Sequence, residues 1–344
     1  MKNFNLLLPI IVLGLFSCNE NKPSVQEFNT LTTADTLTMI EILDPEVEKL
    51  VGKNTTAEIL GEGFKWAEGP CWLKDQQKLI FSDAPQNTIF SWTAKDSIQV
   101  YLKPSGYTSD VPRSGEVGSN GLILNQKGNL VLCQHGDRRI AEMLAPLDKP
   151  EPKFKTLADK YDGKRFSSPN DIFADSKGNY YFTDPPYGLE KQEKDSAKET
   201  TVEGVYRINA DSSVELLIDS LTRPNGIIVS NDGKKLYVAN SDPANAIWAV
   251  YDIDANGKVS NGKVFMDATA KAATEKGLPD GLCMNSKGYI FATGPGGVWI
   301  FNPAVKHIGT IKAKVATSNV ELDDTESYLY ITAHMYLIRI KLVK

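Results

Sequence analysis

Residues 167–189 read SSPNDIFADSKGNYYFTDPPYGL. An apolar run that begins at Ile172 is followed by a polar Lys-Gly-Asn turn and by a second run of aromatic and β-branched residues, a pattern that predicts a β-hairpin. Asn170 and Asp171 precede the first strand, and Asp184 ends the second. Because Asn and Asp favour turns, turn chemistry explains a single copy. The meaning of these polar residues therefore depends on whether the chain repeats them.

The same unit occurs six times. Each copy has an oxygen-bearing residue, a short apolar run, a polar turn and a second β-rich run, and the copies begin at Glu68, Asn120, Asn170, Asn225, Asp280 and Asn319. Their starts are 52, 50, 55, 55 and 39 residues apart, and further strand-like segments such as TIFSWT and GVWIFN follow the hairpins. Four strands in a repeat of roughly 50 residues are typical of a propeller blade. The sequence therefore predicts an all-β fold, a six-bladed β-propeller with four-stranded antiparallel blades.

The last repeat is short because the chain ends at Lys344, after the third strand of that repeat. A propeller must close its ring, so another part of the chain has to supply the missing outer strand. We expect residues 56–64, TAEILGEGF, to do so.

The N-terminus has the features of an exported lipoprotein. Lys2 precedes an apolar run over residues 6–16, which is too short to span a membrane and suits a signal peptide, and LFSC at residues 15–18 resembles a bacterial lipobox. The prediction is a lipoprotein signal peptide at 1–17, an acylated Cys18 with a tether at 18–50, and the propeller at 51–344. The protein is expected in the bacterial cell envelope, on the periplasmic or cell-surface side, held at the membrane through Cys18. A plain secretory signal with an incidental cysteine is the alternative.

Composition limits the partners. The chain has 344 residues, of which 41% are hydrophobic and 24% charged, and its formal net charge is -5. An acidic chain without a basic stripe lacks the electrostatic footprint of a nucleic-acid binder, so a small-molecule partner is expected. We expect a monomer. Cys71, Cys133 and Cys283 are far apart without metal-binding spacing, which predicts neither a disulfide framework nor a zinc site.

The six starting residues must converge, because the first strand of each blade lines the central channel. The second strand returns to the same rim and brings another set there: Asp83, His135, Asp184, Asn240 and His334. Converging carboxylate and amide oxygens without thiols suit a hard divalent cation, Ca²⁺ first, with Zn²⁺, Mn²⁺ and Mg²⁺ as alternatives. Such a cation polarises a carbonyl and activates water, which favours hydrolysis of an ester-like bond, with an Asp or His of the second set as a proton carrier. Motifs of serine hydrolases, zinc proteases and dinucleotide-binding enzymes are absent from the sequence.

Five segments together resemble the gluconolactonase and regucalcin-like lactonase family, also called the senescence marker protein family: GEGFKWAEGPCW, SNGLILNQKGNLVLCQHGDRRI, GKRFSSPNDIFADSKGNYYFTDPPYGL, RPNGIIVSNDGKKLYVANSD and GLPDGLCMNSKGYIFATGPGGVWIFNP. The likeness runs in order over residues 60–340 and is closest to the bacterial gluconolactonases. It implies a six-bladed propeller with one divalent metal at the channel mouth.

The resemblance also implies site residues. Glu68, Asn225 and Asp280 are the expected direct metal ligands, Asn170 is a fourth ligand or a substrate contact, and Asp280 is the candidate general base. Further expected substrate contacts are Asn120, His135, Asp184 and Tyr187. Arg113 and Glu116 lie in a loop that could close over the mouth, and the resemblance assigns them no role.

The implied activity is metal-dependent hydrolysis of a sugar lactone such as glucono-1,5-lactone to the aldonic acid. Two alternatives remain open. One is another hydrolytic use of the same site, on other lactones or organophosphates. The other is a non-catalytic sugar-binding propeller whose metal is purely structural.

Overall fold

A computed structural model describes Met1 and residues 38–343 of the chain. Six antiparallel sheets form the blades of the predicted propeller, which is confirmed. The first strands of successive blades contact one another around a closed ring, so they line the central channel. Apart from the strands, the described part of the chain contains one short α-helix, Thr269–Ala272, and four 3-10 helices, Pro45–Lys49, Lys74–Gln76, Ala84–Gln86 and Gln192–Lys194.

The strands of each blade are given from the channel outwards. Blade 1 consists of Ala67–Leu73, Lys78–Asp83, Thr88–Thr93 and Ser97–Leu102. Blade 2 consists of Ser119–Leu124, Leu130–Gln134, Arg139–Met143 and Phe154–Ala158. Blade 3 consists of Ile172–Ala174, Tyr180–Asp184, Gly204–Ile208 and Val214–Ile218. Blade 4 consists of Pro224–Val229, Lys235–Asp242, Asn245–Ile253 and Val259–Asp267.

Blades 5 and 6 each receive a strand from the N-terminal part of the chain. Blade 5 consists of Leu282–Met284, Ile290–Gly294, Gly297–Phe301 and His307–Ala313, with Thr38–Ile42 added at its edge. Blade 6 consists of Asn319–Leu322, Tyr328–Ala333 and Tyr336–Lys341, with Ala57–Glu62 outermost. A separate two-stranded ribbon pairs Lys160–Tyr161 with Lys164–Arg165.

The expected closure of the ring is confirmed. Ala57–Glu62 pairs antiparallel with Tyr336–Lys341, so a strand from before the first blade completes the last one. Ile338 and Ile340 of the third strand are fully buried and belong to one apolar cluster with Ala57. Burial of this strand pair therefore joins the two ends of the propeller through side-chain packing as well as backbone hydrogen bonds.

The folded part of the chain begins earlier than predicted. Residues 38–50 were expected to belong to a tether, yet Thr38–Ile42 pairs with His307–Ala313 and the following 3-10 helix buries Val47 completely. Ile40 and Ile42 pack on the same apolar cluster as Val47, and this burial is the physical reason for the difference. The predicted signal peptide after Met1, Cys18 and the tether up to residue 37 lie outside the described residues. No helix among the described residues is long and apolar enough to cross a membrane.

In several hairpins a single side chain builds the polar turn. In the hairpin of blade 3, Asp175 Oδ1 accepts hydrogen bonds from the backbone N–H groups of Lys177 at 2.8 Å and Asn179 at 2.9 Å. Asn285 Oδ1 does the same in blade 5, for Lys287 and Tyr289. Side-chain capping of this kind fixes the tight turn that returns the second strand to the channel mouth.

Glycine follows several of the starting residues because the blades approach closely there. A Cβ on Gly226 would lie 2.1 Å from the backbone oxygen of Asp280, and one on Gly69 would lie 2.0 Å from that of Asn120. No side chain fits at these positions without moving backbone. The Asn-Gly and Glu-Gly steps thus bring the starting residues of neighbouring blades together at one rim.

Candidate active site

A cavity of about 420 Å³ lies at the channel mouth. Its lining includes the starting residues of five blades, Glu68, Asn120, Asn170, Asn225 and Asp280. The rest of the wall comes from Trp66, Glu116, Tyr187, Ser241, Pro243, Ala272, Glu275, Gly277, Leu278, Ala316 and Thr317. All four residues expected to bind metal therefore meet in one cavity.

Glu68 and Asp280 lie close to each other, and among the described residues no Lys or Arg forms an ion pair with either carboxyl group. Glu68 is 4% exposed. Burial raises the pKa of both groups above the usual range, and the charges of Glu116 and Asp171 raise it further. Trp66 opposes this shift, since its Nε1–H donates to Glu68 Oε1 at 2.9 Å. A buried acidic pair that lacks a counter-charge is suited to bind a cation.

The asparagines present their amide oxygens to the cavity because their amide nitrogens are engaged elsewhere. Asn225 Nδ2 donates to Ser241 Oγ at 3.0 Å, and Asn170 Nδ2 lies 3.4 Å from His135 Nε2. Asn120 Oδ1 is buried and has no hydrogen-bond partner among the described residues. A buried carbonyl oxygen without a donor is costly unless a cation or a ligand engages it.

These residues fit a divalent metal of the oxygen-preferring kind. Two carboxylates and up to three amide oxygens form a donor set that Ca²⁺ accepts in irregular geometry. Among the described residues there is no group of three or more His, Cys, Asp and Glu side chains placed to hold a metal, and this is consistent with a set in which amides supplement two acids. None of the described residues that line the cavity is a cysteine or a histidine, so a structural zinc site is a poor match.

Glu116 reaches the cavity from the loop that connects blades 1 and 2. Arg113 fastens this loop by donating from Nη1 to Gly136 O at 2.6 Å and from Nη2 to Gly188 O. Ser114 adds two hydrogen bonds, from its backbone N–H and its hydroxyl, to Glu190 at 3.0 and 2.9 Å. The loop is therefore anchored beside the mouth, and burial raises the pKa of Glu116 to about 7.

His135 lies behind the cavity rather than in its lining. The ring is fully buried, its Nε2 faces Asn170 and its Nδ1 has no hydrogen-bond partner among the described residues. Glu116 Oε2 is 3.9 Å from Nδ1, beyond hydrogen-bond distance. Burial lowers the pKa of His135 to about 3, so the ring is neutral at physiological pH. His135 thus reaches the cavity only through Asn170, and its position does not fit the direct substrate contact that was expected.

Tyr187 lines the cavity as expected, and Asp184 does not. Both oxygens of Asp184 accept backbone N–H groups, from Ser167 and Ser168 at 2.8 Å each. The expected substrate contact of Asp184 is therefore corrected to a structural role: its side chain fixes the segment that enters the first strand of blade 3. Asp83 and Asn240 act in the same way in blades 1 and 4.

Two further sequence candidates lie outside the main cavity. His334 contacts Trp66 edge to face, with ring centroids 5.5 Å apart. Asn319 lines a smaller cavity of about 190 Å³ between the inner strands, together with Asp171 and Glu321. The start of blade 6 therefore contributes nothing to the main cavity lining.

Sequence reasoning missed Trp66 and Ser241. Trp66 lies two residues before Glu68, and the contact between them is the hydrogen bond from Trp66 Nε1–H to Glu68 Oε1. Ser241 follows the second-strand residue Asn240 by one position, and the alternation of side chains along a strand was the available signal, because it turns Ser241 toward Asn225 when Asn240 turns away.

Comparison with known proteins identifies the family of the chain. The family model described as "SMP-30/Gluconolactonase/LRE-like region" matches residues 66–335. A gluconolactonase of Zymomonas mobilis is 34% identical over 325 residues, which cover 92% of this chain and 90% of that protein. Regucalcin of Xenopus laevis is 24% identical over 234 residues, covering 68% of this chain and 69% of its own length.

Solved structures share the fold. A gluconolactonase from Xanthomonas campestris superposes with a TM-score of 0.78 at 26% identity, covering 92% of this chain and 99% of that one. A calcium-binding regucalcin from Agrobacterium tumefaciens superposes with a TM-score of 0.63 at 16% identity, covering 84% of this chain and 95% of that one. Since the family model spans most of the propeller and one relative matches nearly end to end, the chain belongs to the SMP-30/gluconolactonase family.

Proposed function

We propose that the protein hydrolyses a sugar lactone of the glucono-1,5-lactone type to the aldonic acid, with one divalent cation held in the channel-mouth cavity. The observation that carries this proposal is the meeting of Glu68 and Asp280 with the free amide oxygens of Asn170 and Asn225 in one cavity whose lining, among the described residues, includes no Lys or Arg side chain. The 34% identity to the Zymomonas mobilis gluconolactonase supports the substrate class.

Glu68, Asn170, Asn225 and Asp280 would hold the cation, and Ca²⁺ suits this donor set best. When bound, the cation supplies Lewis-acid polarisation of the lactone carbonyl and a lower pKa for nearby water. Asn120 would contact the substrate through its unpartnered Oδ1.

Asp280 is proposed as the general base. Its carboxylate takes a proton from the attacking water while the water oxygen bonds to the lactone carbonyl carbon. The bond between that carbon and the ring oxygen then breaks, and the proton passes to the ring oxygen, which becomes a hydroxyl group. The product is an open-chain hydroxy acid, and the carboxylate of Asp280 is regenerated.

The walls of the cavity suit a small ring with hydroxyl groups. A volume of about 420 Å³ lies within the range of roughly 300–1,000 Å³ that is usual for small-ligand sites. Trp66 and Tyr187 offer aromatic faces to the C–H groups of a sugar ring, and Glu116 offers a carboxylate to its hydroxyl groups.

A pH-indicator assay on a panel of sugar lactones, aliphatic lactones and organophosphates tests the proposal. Glu68→Ala and Asp280→Ala should reduce turnover to the uncatalysed background. Glu203→Gln is the control, because Glu203 pairs with Lys198 at 3.2 Å and does not line the cavity. Undiminished turnover in either alanine variant would refute the assigned site, and hydrolysis confined to another substrate class would refute the proposed substrate.

We also propose that the chain is exported and anchored through an acylated Cys18, as the LFSC motif indicates. Cys18→Ala should release the protein from the membrane fraction and abolish incorporation of labelled palmitate. Retention of both properties in the variant would contradict the anchor.

A further inference from the structure

We propose that His135 and Ser241 are positioning residues that fix the amide orientation of Asn170 and Asn225, so that both amide oxygens face the cation. This inference rests on the proposed function, since it takes the two asparagines as metal ligands. It assigns to His135 and Ser241 a role in cation affinity without contact between either side chain and the cation.

The amide of Asn170 can donate to His135 in only one arrangement. Asn170 Nδ2 lies 3.4 Å from His135 Nε2, and a neutral imidazole accepts a hydrogen bond only at its unprotonated nitrogen. Its remaining proton is then on Nδ1, the nitrogen that faces the acidic side chain of Glu116, with Oε2 3.9 Å away. With the proton on Nδ1, rotating the amide by half a turn would set the carbonyl oxygen of Asn170 against the lone pair of Nε2. The contact therefore favours Oδ1 on the cavity side.

The amide of Asn225 is oriented in the same way by a different partner, Ser241. Asn225 Nδ2 donates to Ser241 Oγ at 3.0 Å, and the hydroxyl proton of Ser241 is committed to Pro279 O at 2.5 Å. A hydroxyl whose proton is committed can only accept from the amide. Reversal of the Asn225 amide would therefore place two acceptors against each other. In both cases an acceptor beside the asparagine binds its amide nitrogen and leaves the amide oxygen for the cation.

Loss of this amide orientation should weaken cation binding, and a metal titration measures the change in affinity. A reversed amide presents two N–H groups to a cation, so each freed asparagine spends part of its time in a form that cannot bind. Partners that orient metal ligands typically contribute about 10- to 100-fold in metal affinity. We expect a loss of that size for each positioning residue.

The test is calorimetric titration of the metal-free protein with MnCl₂ and with CaCl₂. His135→Leu and Ser241→Ala remove the acceptors, while His135→Gln and Ser241→Thr keep an acceptor atom at a similar place. His307→Gln is the matched control, because His307 stacks on Trp299 at 4.2 Å on an outer strand of blade 5. Asn170→Ala and Asn225→Ala serve as references for complete loss of each ligand. Thermal unfolding of every variant checks that it is folded.

The expected result is a Kd raised about 10- to 100-fold in His135→Leu and in Ser241→Ala, with most of the affinity recovered in His135→Gln and Ser241→Thr and no change in the control. Wild-type affinity in His135→Leu and Ser241→Ala, alongside weakened Asn170→Ala and Asn225→Ala, would overturn the positioning role and leave the ligand set intact. If the two asparagine variants also bind normally, the asparagines are not ligands and the inference fails with them. Lactone turnover of the wild-type preparation then decides separately whether the proposed function stands.

Discussion

Trp66→Phe should weaken cation binding without removing any ligand. Trp66 Nε1–H donates to Glu68 Oε1 at 2.9 Å, and phenylalanine keeps an aromatic ring but has no donor. A hydrogen bond to a charged group contributes about 1.5–3 kcal/mol. Because each 1.36 kcal/mol corresponds to a factor of ten, the Kd of the cation should rise about 10- to 150-fold at neutral pH. The pKa of Glu68, already raised by burial, should rise further.

Trp72→Phe is the matched control for this experiment. Trp72 Nε1 donates to Asp324 Oδ1 at 2.8 Å, but this pair is exposed and lies outside the cavity. Calorimetry with MnCl₂, together with thermal unfolding, separates a local effect on Glu68 from a general loss of stability. Wild-type affinity in Trp66→Phe would refute the reasoning, as would an equal loss of affinity in Trp72→Phe.

Three further predictions concern stability and substrate access. Burial raises the pKa of Asp171 from 3.8 to about 7 and that of Glu321 from 4.5 to about 8. Because the unfolded chain releases these protons at lower pH than the folded one, the melting temperature of the metal-free protein should fall as the pH rises from about 4.5 to about 8 and then level off, and Glu321→Gln should reduce that fall. A melting temperature that rises over this interval would contradict the assignment. Arg113→Ala should raise KM about tenfold or more with little change in kcat. The reason is that the loop beside the mouth loses two charged hydrogen bonds, each of which contributes about 1.5 kcal/mol or more. Saturation kinetics with an unchanged KM would show that this loop does not help to bind substrate. Ile338→Ala should lower the free energy of unfolding by about 2–5 kcal/mol, since Ile338 is fully buried where the ring closes, and urea denaturation with a loss below 1 kcal/mol would argue against closure as a major source of stability.

The repeat made most of the fold predictable. Each starting residue is followed by a local hairpin. A hairpin is easy to recognise in a sequence because its two strands and its turn are contiguous. The closing strand at Ala57–Glu62 was also predictable, because the last repeat lacked one strand. By contrast, the strand Thr38–Ile42 could not be predicted, because blade 5 already has four strands of its own and its sequence gives no sign of a fifth.

The site was predictable where it depends on the repeat and not where it depends on loops. Glu68, Asn170, Asn225 and Asp280 meet because they occupy equivalent positions in blades 1, 3, 4 and 5. The orientation of a side chain at the end of a strand is decided by its partners, which is why Asp184 was expected in the cavity and instead binds two backbone amides.

Residues from connecting segments reach the cavity through contacts that have no period along the chain. Glu116 is one example: its position depends on how Arg113 and Ser114 fasten the loop to blades 2 and 3. Trp66 is another, because its part in the site is a single hydrogen bond to Glu68. Such contacts emerge only once the blades are packed.

The most direct test of the account is glucono-1,5-lactone hydrolysis by protein stripped with a chelator and then supplied separately with Ca²⁺, Mg²⁺, Mn²⁺ or Zn²⁺. If hydrolysis depends on a cation held by Glu68 and Asp280, the rate of the wild type should fall to the spontaneous background after stripping and return with at least one of these ions. In Glu68→Gln and Asp280→Asn no ion should restore the rate. Full activity in protein shown by elemental analysis to be metal-free would contradict this dependence, and so would a failure of every ion to support hydrolysis.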